Sequence, residues 1–306
     1  MTPKISVSLP DAGLREYLAP HPDVTVLEWD LAGGAPQRRI DIVVPPYMGG
    51  TKILRNLESV ETELVQSQSI GYDGVADVLP AGRVFANAAG VHETSTAELV
   101  LAMVLASQRE FPRLLENQQQ GLWETKPTAS LADRRVLIVG YGGVGKAIEE
   151  RLLPFETTVT RVASQSRTDG NGVVHGIAEL PALLPDHDIV IVGVPLSDAT
   201  RHLIDDAFLS AMPDGGLLVN VARGPVADTE ALVRHTGSGR IRAALDVTDP
   251  EPLPRDHPLW RTPGVIITPH VGGASSAMRP RMGRLLQRQI DLMLAGEPPV
   301  NVVLGG

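Results

Sequence analysis

Eighteen residues from Val136 to Leu153, V-L-I-V-G-Y-G-G-V-G-K-A-I-E-E-R-L-L, constrain this chain more than any other stretch. Val136 to Val139 are apolar without a break and read as a strand buried on both faces, as in a parallel sheet. Gly140, Gly142 and Gly145 then complete G-x-G-x-x-G, and Ala147, Ile148, Leu152 and Leu153 follow at helical spacing. The first glycine permits the tight turn, the second lets a pyrophosphate approach the backbone, and the third lets the helix pack close on the strand. The helix N-terminus would face the anion with unpaired N–H groups and its positive dipole end. Glycines in this pattern also mark ordinary turns. A strand before and a helix after are the context in which the pattern reads as dinucleotide binding.

With 306 residues, the chain is long enough for two domains, each with its own core. Its formal net charge of −9 argues against nucleic acid or an anionic membrane surface as a partner. There are no cysteines, which excludes disulfides, thiolate metal sites and cysteine catalysis. No metal is called for. No segment approaches the eighteen apolar residues of a membrane span, and the expected location is the cytoplasm.

The first ninety or so residues alternate β-like and helical runs: strands at Ile5 to Leu9, Val24 to Leu27, Ile40 to Val44, Leu64 to Ser69 and Val84 to Phe85. Short helices are expected around Leu14 and Leu18 and around Ile53 to Leu57. The alternation describes a small doubly wound domain without a phosphate loop of its own. Glu93 to Arg109 reads as a long helix with Thr94 or Ser95 as its cap, and Gln118 to Ser130 reads as a polar loop. From Val136 six strands alternate with helices, at Val136, Thr157, Ile189, Leu217, Ile241 and Val265, matching two mononucleotide-binding halves. Met278 to Leu294 is helical again. The fold class is α/β, with two doubly wound, Rossmann-like domains.

Ligands in such sheets bind beyond the carboxyl ends of the strands. Three of these ends carry polar chemistry. Leu217 to Val221 runs into A-R-G-P and exposes Arg223; Ile241 to Leu245 runs into D-V-T-D-P-E-P-L-P and exposes Asp246 and Glu251; Val265 to Thr268 runs into P-H-V-G-G and exposes His270. Hydride addition to a carbonyl needs a proton donor for the developing alkoxide, which a histidine supplies near neutral pH. It also needs a cation for an anionic substrate, and a planar arginine grips a carboxylate with two parallel bonds. A carboxylate beside the histidine would fix its tautomer and favour its charged form. Each residue alone has a plain structural use; together, in one register, they read as a hydride-transfer site. His92, near the boundary between the two β-α series, is a further residue that could border it.

With those residues in place the chain resembles the D-isomer-specific 2-hydroxyacid dehydrogenases. The blocks V-N-V-A-R-G (219–224), L-D-V-T-D-P-E-P-L (245–253), H-P-L-W (257–260) and T-P-H-V-G-G (268–273) look like that family's motifs in order and spacing, and the likeness spans nearly the whole chain. It implies a substrate domain built from both chain ends, 1–93 and 277–306, with a dinucleotide-binding domain, 94–276, inserted and the cleft between them. It makes His270 the general acid/base, Glu251 its partner and Arg223 the grip on the carboxylate and carbonyl of a 2-oxo acid. Ile70 and Gly71 match the loop whose N–H groups hold the substrate carboxylate. Gly143 and Val144 would offer N–H groups to the pyrophosphate, Asp246 would meet the nicotinamide carboxamide, and Val194, Pro195, Val221 and Gly272 would line the cofactor. A homodimer is expected on the same ground.

One departure separates this chain from an NAD-specific site. No acidic residue follows the glycines between Thr157 and Thr168, where a ribose 2′-OH would be held; Ser164, Ser166 and Arg167 stand there instead. Hydroxyls and a guanidinium suit a 2′-phosphate, so NADP(H) is expected ahead of NAD(H). In the loop P-P-Y-M-G-G (45–50), Tyr47 and Met48 would give the substrate an aromatic and an adaptable apolar surface rather than a basic one. That favours a small or apolar 2-oxo acid, such as glyoxylate, hydroxypyruvate or a longer homologue. The competing reading is a nucleotide-sensing regulatory protein on the same fold, against which the retained Arg223, Glu251 and His270 speak. Formate oxidation is a third, disfavoured by Glu251.

Overall fold

The structure is a computed structural model and describes residues 5–305. The chain divides into two compact units: one combines the residues up to His92 with those from Ser275 onward, and the other is Glu93–Ala274.

The first unit opens with β1 (Ile5–Leu9), α1 (Ala12–Arg15), β2 (Val24–Glu28), β3 (Ile42–Val43), β4 (Leu64–Gln66) and β5 (Phe85–Ala86). Asp11 caps α1 by accepting from the Gly13 N–H. The five strands are parallel. β3 and β4 are shorter than the apolar runs that announced them, because Pro45 and Pro46 and the turn after Gln68 end the pairing. The helix expected around Ile53 is a 3₁₀ helix, Thr51–Ser59, with only Leu54 and Leu57 buried.

The second unit begins with α2 (Glu93–Gln108) and α3 (Phe111–Gln119), followed by β6 (Arg135–Val139), α4 (Gly143–Leu152), β7 (Thr158–Ala163), β8 (Arg167–Asp169), β9 (Gly172–Gly176) and α5 (Leu180–Leu183). β10 (Ile189–Val192), α6 (Asp206–Ala211), β11 (Leu217–Asn220), α7 (Thr229–Gly237), β12 (Arg242–Leu245) and β13 (Val265–Ile267) complete it. The sheet order is β13-β12-β11-β10-β6-β7-β9-β8, parallel throughout except for β8 against β9. The chain winds outward from β6 in both directions, so the switch point of the topology lies between β6 and β10, where the glycine motif leaves the sheet.

Two expectations are corrected here. The sheet has eight strands rather than six. β9 is short, glycine-ended and buried only at Val174, and β8 is a polar edge, so neither produces an apolar run. Thr94 and Ser95 are not caps, because α2 starts at Glu93 and places both inside its first turn. α3 was not foreseen either; its short apolar stripe, Phe111, Leu114 and Leu115, is left exposed, and the helix buries none of its residues.

Val136, Leu137, Ile138 and Val139 of β6 are each at most 1% exposed, as a strand with helices on both faces requires. One face packs Leu137 and Val139 with Val190, Val192 and Leu218; the other packs Val136 and Ile138 with Val100, Val104 and Ile148. Each such fully buried aliphatic side chain contributes roughly 1.5–3 kcal/mol.

The chain ends in the first unit with α8 (Met278–Ala295) and β14 (Val302–Leu304). Met278, Met282, Leu286 and Ile290 of α8 pack on Ile5, Val7 and Leu9. β14, absent from the sequence reading, pairs antiparallel with β5 and completes the order β14-β5-β4-β3-β1-β2. Among the described residues no helix is long and apolar enough to cross a membrane.

Candidate active site

The glycine motif does at each position what its chemistry allows. Gly140 has φ +105°, and a Cβ there would lie 2.6 Å from the Gly193 carbonyl at the end of β10. A Cβ on Gly145 would come within 2.4 Å of the Gly140 carbonyl oxygen, so the third glycine is what lets α4 sit down on β6. Gly142 is different. A Cβ there would meet nothing within 4 Å, and the residue is the N-cap of α4 without a capping side chain. An open cradle in front of unsatisfied helix N–H groups fits a pyrophosphate, with Gly143 and Val144 as the first residues to offer theirs.

Past the end of β7, Ser164, Ser166 and Arg167 are all exposed. Arg167 opens β8 and turns back, its Nη2 donating to the Tyr141 carbonyl at 3.0 Å. This brings a guanidinium to the mouth of the glycine loop. Lys146, on the exposed side of α4, has its Nζ 5.9 Å from the centre of the Tyr141 ring. Its place directly after the last glycine is a signal the sequence carries for it.

β11, β12 and β13 are neighbours in the sheet, so the residues that follow them emerge side by side. Arg223 is half-buried, with Nη1 on the Ala222 carbonyl at 2.8 Å. Asp246 is 3% exposed, and its carboxylate is a clamp. Oδ1 accepts from the Thr268 hydroxyl at 2.6 Å and the Val271 N–H at 2.9 Å, while Oδ2 accepts from the Gly272 N–H at 2.9 Å. Its carbonyl also takes the His270 N–H at 2.8 Å. The clamp accounts for the conformation of His270, whose φ of +52° is uncommon for a side-chain-bearing residue. A Cβ on Gly272 would lie 3.0 Å from Oδ2, so the glycine is needed for that bond. This use of Asp246 and Gly272 was not legible beforehand.

His270 Nδ1 lies 2.5 Å from Glu251 Oε1. Nδ1–H donates to the carboxylate, which sets the tautomer and leaves Nε2 as the nitrogen that can carry a proton to or from a ligand. Val194 and Val221 are half-buried at the ends of β10 and β11, and Pro195 is exposed. A second close approach ties two of these loops together: a Cβ on Gly224, directly after Arg223, would stand 1.9 Å from the Thr248 carbonyl oxygen in the loop that carries Glu251.

In the first unit, Ile70 and Gly71 are half-buried, and the Ile70 carbonyl accepts from Asn87 Nδ2 at 2.9 Å. Tyr47 stacks on His92, ring centroids 5.6 Å apart and planes 20° from parallel, and packs against the unit's core. Met48 is 56% exposed at φ +58°. His92 itself is 5% exposed, with Nε2 2.6 Å from the Gln68 carbonyl. Among the described residues no group of three or more histidines and carboxylates could hold a metal ion.

Residues 101–272 match the sequence profile described as D-isomer specific 2-hydroxyacid dehydrogenase, NAD binding domain. The chain belongs to this family. It is 33% identical over 253 residues to a glyoxylate reductase of Thermofilum pendens, covering 79% of this chain and 74% of that one. It is 30% identical over 302 residues to the human glyoxylate reductase/hydroxypyruvate reductase, covering 93% and 92%. Among solved structures it resembles a D-isomer specific 2-hydroxyacid dehydrogenase of Xanthobacter autotrophicus in complex with NADPH and MES, with TM-score 0.81, 27% identity and 98% of each chain covered. As a D-2-hydroxyacid dehydrogenase family member, the protein is an NAD(P)-dependent oxidoreductase with two Rossmann-like α/β domains.

Proposed function

We propose that this dehydrogenase reduces a small 2-oxo acid of the glyoxylate or hydroxypyruvate kind to the D-2-hydroxy acid and prefers NADPH. The observation that carries the reaction is the His270–Glu251 hydrogen bond, held at a strand end beside that of Arg223. When bound, the dihydronicotinamide supplies the hydride for C2. His270 gives the proton from Nε2 to the oxygen that was the carbonyl, and Glu251 steadies the ring through Nδ1–H and balances its charge. Arg223 grips the carboxylate and polarises the carbonyl. Ile70 and Gly71 offer N–H groups to the same carboxylate, and Tyr47 and Met48 border the substrate, Met48 being the more exposed of the two.

Unit Glu93–Ala274 is the dinucleotide domain in this reading, and the unit from the two chain ends is the substrate domain. Gly140, Gly142, Gly143, Val144 and Gly145 cradle the pyrophosphate, and Val194, Pro195, Val221 and Gly272 line the nicotinamide half. Asp246 adds the carboxamide to the donors it already holds. The NADPH preference is supported by Arg167, whose guanidinium lies against the glycine loop, and by Ser164 and Ser166 on the same exposed turn. A homodimer is part of the proposal. α3 buries nothing, and Phe111 and Leu115 on it, with Leu122 and Trp123 just beyond, are 51%, 53%, 55% and 96% exposed. A second copy is the partner that such an apolar face suits.

The test is loss of NADPH absorbance with a panel of 2-oxo acids. Glyoxylate and hydroxypyruvate should turn over, and His270→Ala, folded and still binding cofactor, should lose about 10²- to 10⁴-fold in kcat. An unimpaired His270→Ala would overturn the mechanism; equal kcat/KM for NADPH and NADH would overturn the preference.

A further inference from the structure

Tyr141 occupies the second position of the glycine motif, yet it is only 2% exposed. Its hydroxyl donates to Oε2 of Glu149, a carboxylate on α4 that is itself 2% exposed. The other oxygen of Glu149 accepts from Nε of Arg161 on β7 at 2.7 Å and also from its Nη2. That bond holds the Arg161 guanidinium above its ordinary pKa against the opposing effect of burial. Arg161 is therefore committed to Glu149 as a buried ion pair. Such pairs add little net stability, because desolvation offsets attraction, but they fix geometry.

The geometry they fix is that of Tyr141, and Tyr141 in turn holds the β8–β9 hairpin at two points. At the hairpin tip, Asn171 Nδ2 donates to the Tyr141 hydroxyl at 3.0 Å. At the start of β8, Arg167 Nη2 donates to the Tyr141 carbonyl at 3.0 Å. The ring lies between them, with the Arg161 and Arg167 guanidinium carbons 5.6 and 6.0 Å from its centre. A polar hairpin on the edge of a sheet has little apolar burial to hold it; Val174 is its one residue in the core cluster. These tethers replace that burial.

We propose that Tyr141 and Asn171 are positioning residues for cofactor choice, holding the β8–β9 hairpin so that Arg167 stands where the ribose 2′-phosphate would bind. The inference rests on the NADPH preference proposed above. Asn171 touches the phenol only from the hairpin side, so its removal loosens the hairpin without leaving Glu149 without its partners.

The experiment measures dissociation constants for NADPH and NADH by nicotinamide fluorescence, kcat with a saturating 2-oxo acid, and amide hydrogen exchange across residues 167–176 without cofactor. Asn171→Ala should weaken NADPH binding roughly three- to tenfold, the worth of one hydrogen bond. It should leave NADH binding and kcat within twofold and speed exchange in the hairpin. Arg167→Ala should abolish the preference, and Asn171→Ala added to it should cost nothing more, because Asn171 acts through Arg167. Tyr141→Phe should behave like Asn171→Ala if it folds. An Arg167→Ala variant with an unchanged NADPH-to-NADH ratio would sink the preference itself. Should Arg167→Ala abolish the preference while Asn171→Ala leaves NADPH binding intact, or weakens both cofactors alike, the preference stands and the positioning role is wrong.

Discussion

Gly224→Ala is the substitution in which packing and catalysis are most directly coupled. The added Cβ would stand 1.9 Å from the Thr248 carbonyl oxygen, 2.3 Å from its carbon and 2.9 Å from the Asp249 nitrogen. All three are backbone atoms, so no side chain can swing aside. Ordinary contact begins near 3.4 Å, and the two loops must therefore separate by about 1.5 Å. Overpacking of this kind costs about 1–3 kcal/mol of stability. The catalytic cost is larger, because one loop carries Arg223 and the other Glu251. Groups that must be held within about 0.5 Å are displaced by more than that, and misplacement by 1 Å costs on the order of 10²-fold. We expect kcat/KM for the preferred 2-oxo acid to fall at least about 10²-fold, and NADPH affinity to fall much less, because the glycine loop is untouched and only Val221 and Asp246 at the nicotinamide end share the displaced loops. Steady-state reduction kinetics, cofactor titration and a urea melt separate the three effects. A Gly224→Ala variant with activity within threefold of the parent would refute the coupling of these two loops.

Three more outcomes are expected. Glu251→Gln should lower kcat by about tenfold or more while leaving NADPH affinity unchanged, because the amide still reaches His270 Nδ1 but cannot balance its charge; equal kcat in both proteins would remove Glu251 from the mechanism. Burial holds His187 below its ordinary pKa of 6.5, only partly offset by its bond to the Leu183 carbonyl, and Thr160 Oγ1 occupies its other nitrogen. The unfolded chain thus binds a proton there that the folded chain resists. Stability should be full above pH 6.5 and fall as pH drops below it, and His187→Gln should flatten urea midpoints across that window; identical slopes would count against it. Finally, Leu115→Asp with Trp123→Asp should give monomers in light scattering, and a dimer that survives both charges would place the self-association surface elsewhere.

The parts of the fold legible in advance are those where burial repeats along the chain. β6, β10 and β11 are apolar runs because both faces of a parallel sheet are covered, and α2 and α8 show the spacing of packed helices. The glycine loop was legible because backbone approach admits only one residue type. The β8–β9 hairpin, α3 and β14 were not. The hairpin is held largely by hydrogen bonds to Tyr141, α3 is a short helix whose apolar residues stay exposed, and β14 is three residues long and only half-buried, so none leaves a long periodic apolar trace.

The site divides along the same line. Sequence alone named Arg223, Glu251 and His270, because strand ends are where such chemistry collects, and it named Arg167 by the missing acid after the glycines. Tertiary structure alone revealed that Asp246 clamps the His270 loop, that Gly224 lets the Arg223 and Glu251 loops touch, and that Glu149 and Arg161 form a buried pair under Tyr141. The division has a physical cause. Burial and turn geometry act between neighbours in the chain and so write themselves into local pattern. Hydrogen bonds between residues such as Tyr141 and Asn171, thirty positions apart, have no local pattern to leave, and exist only once the fold has brought the two together.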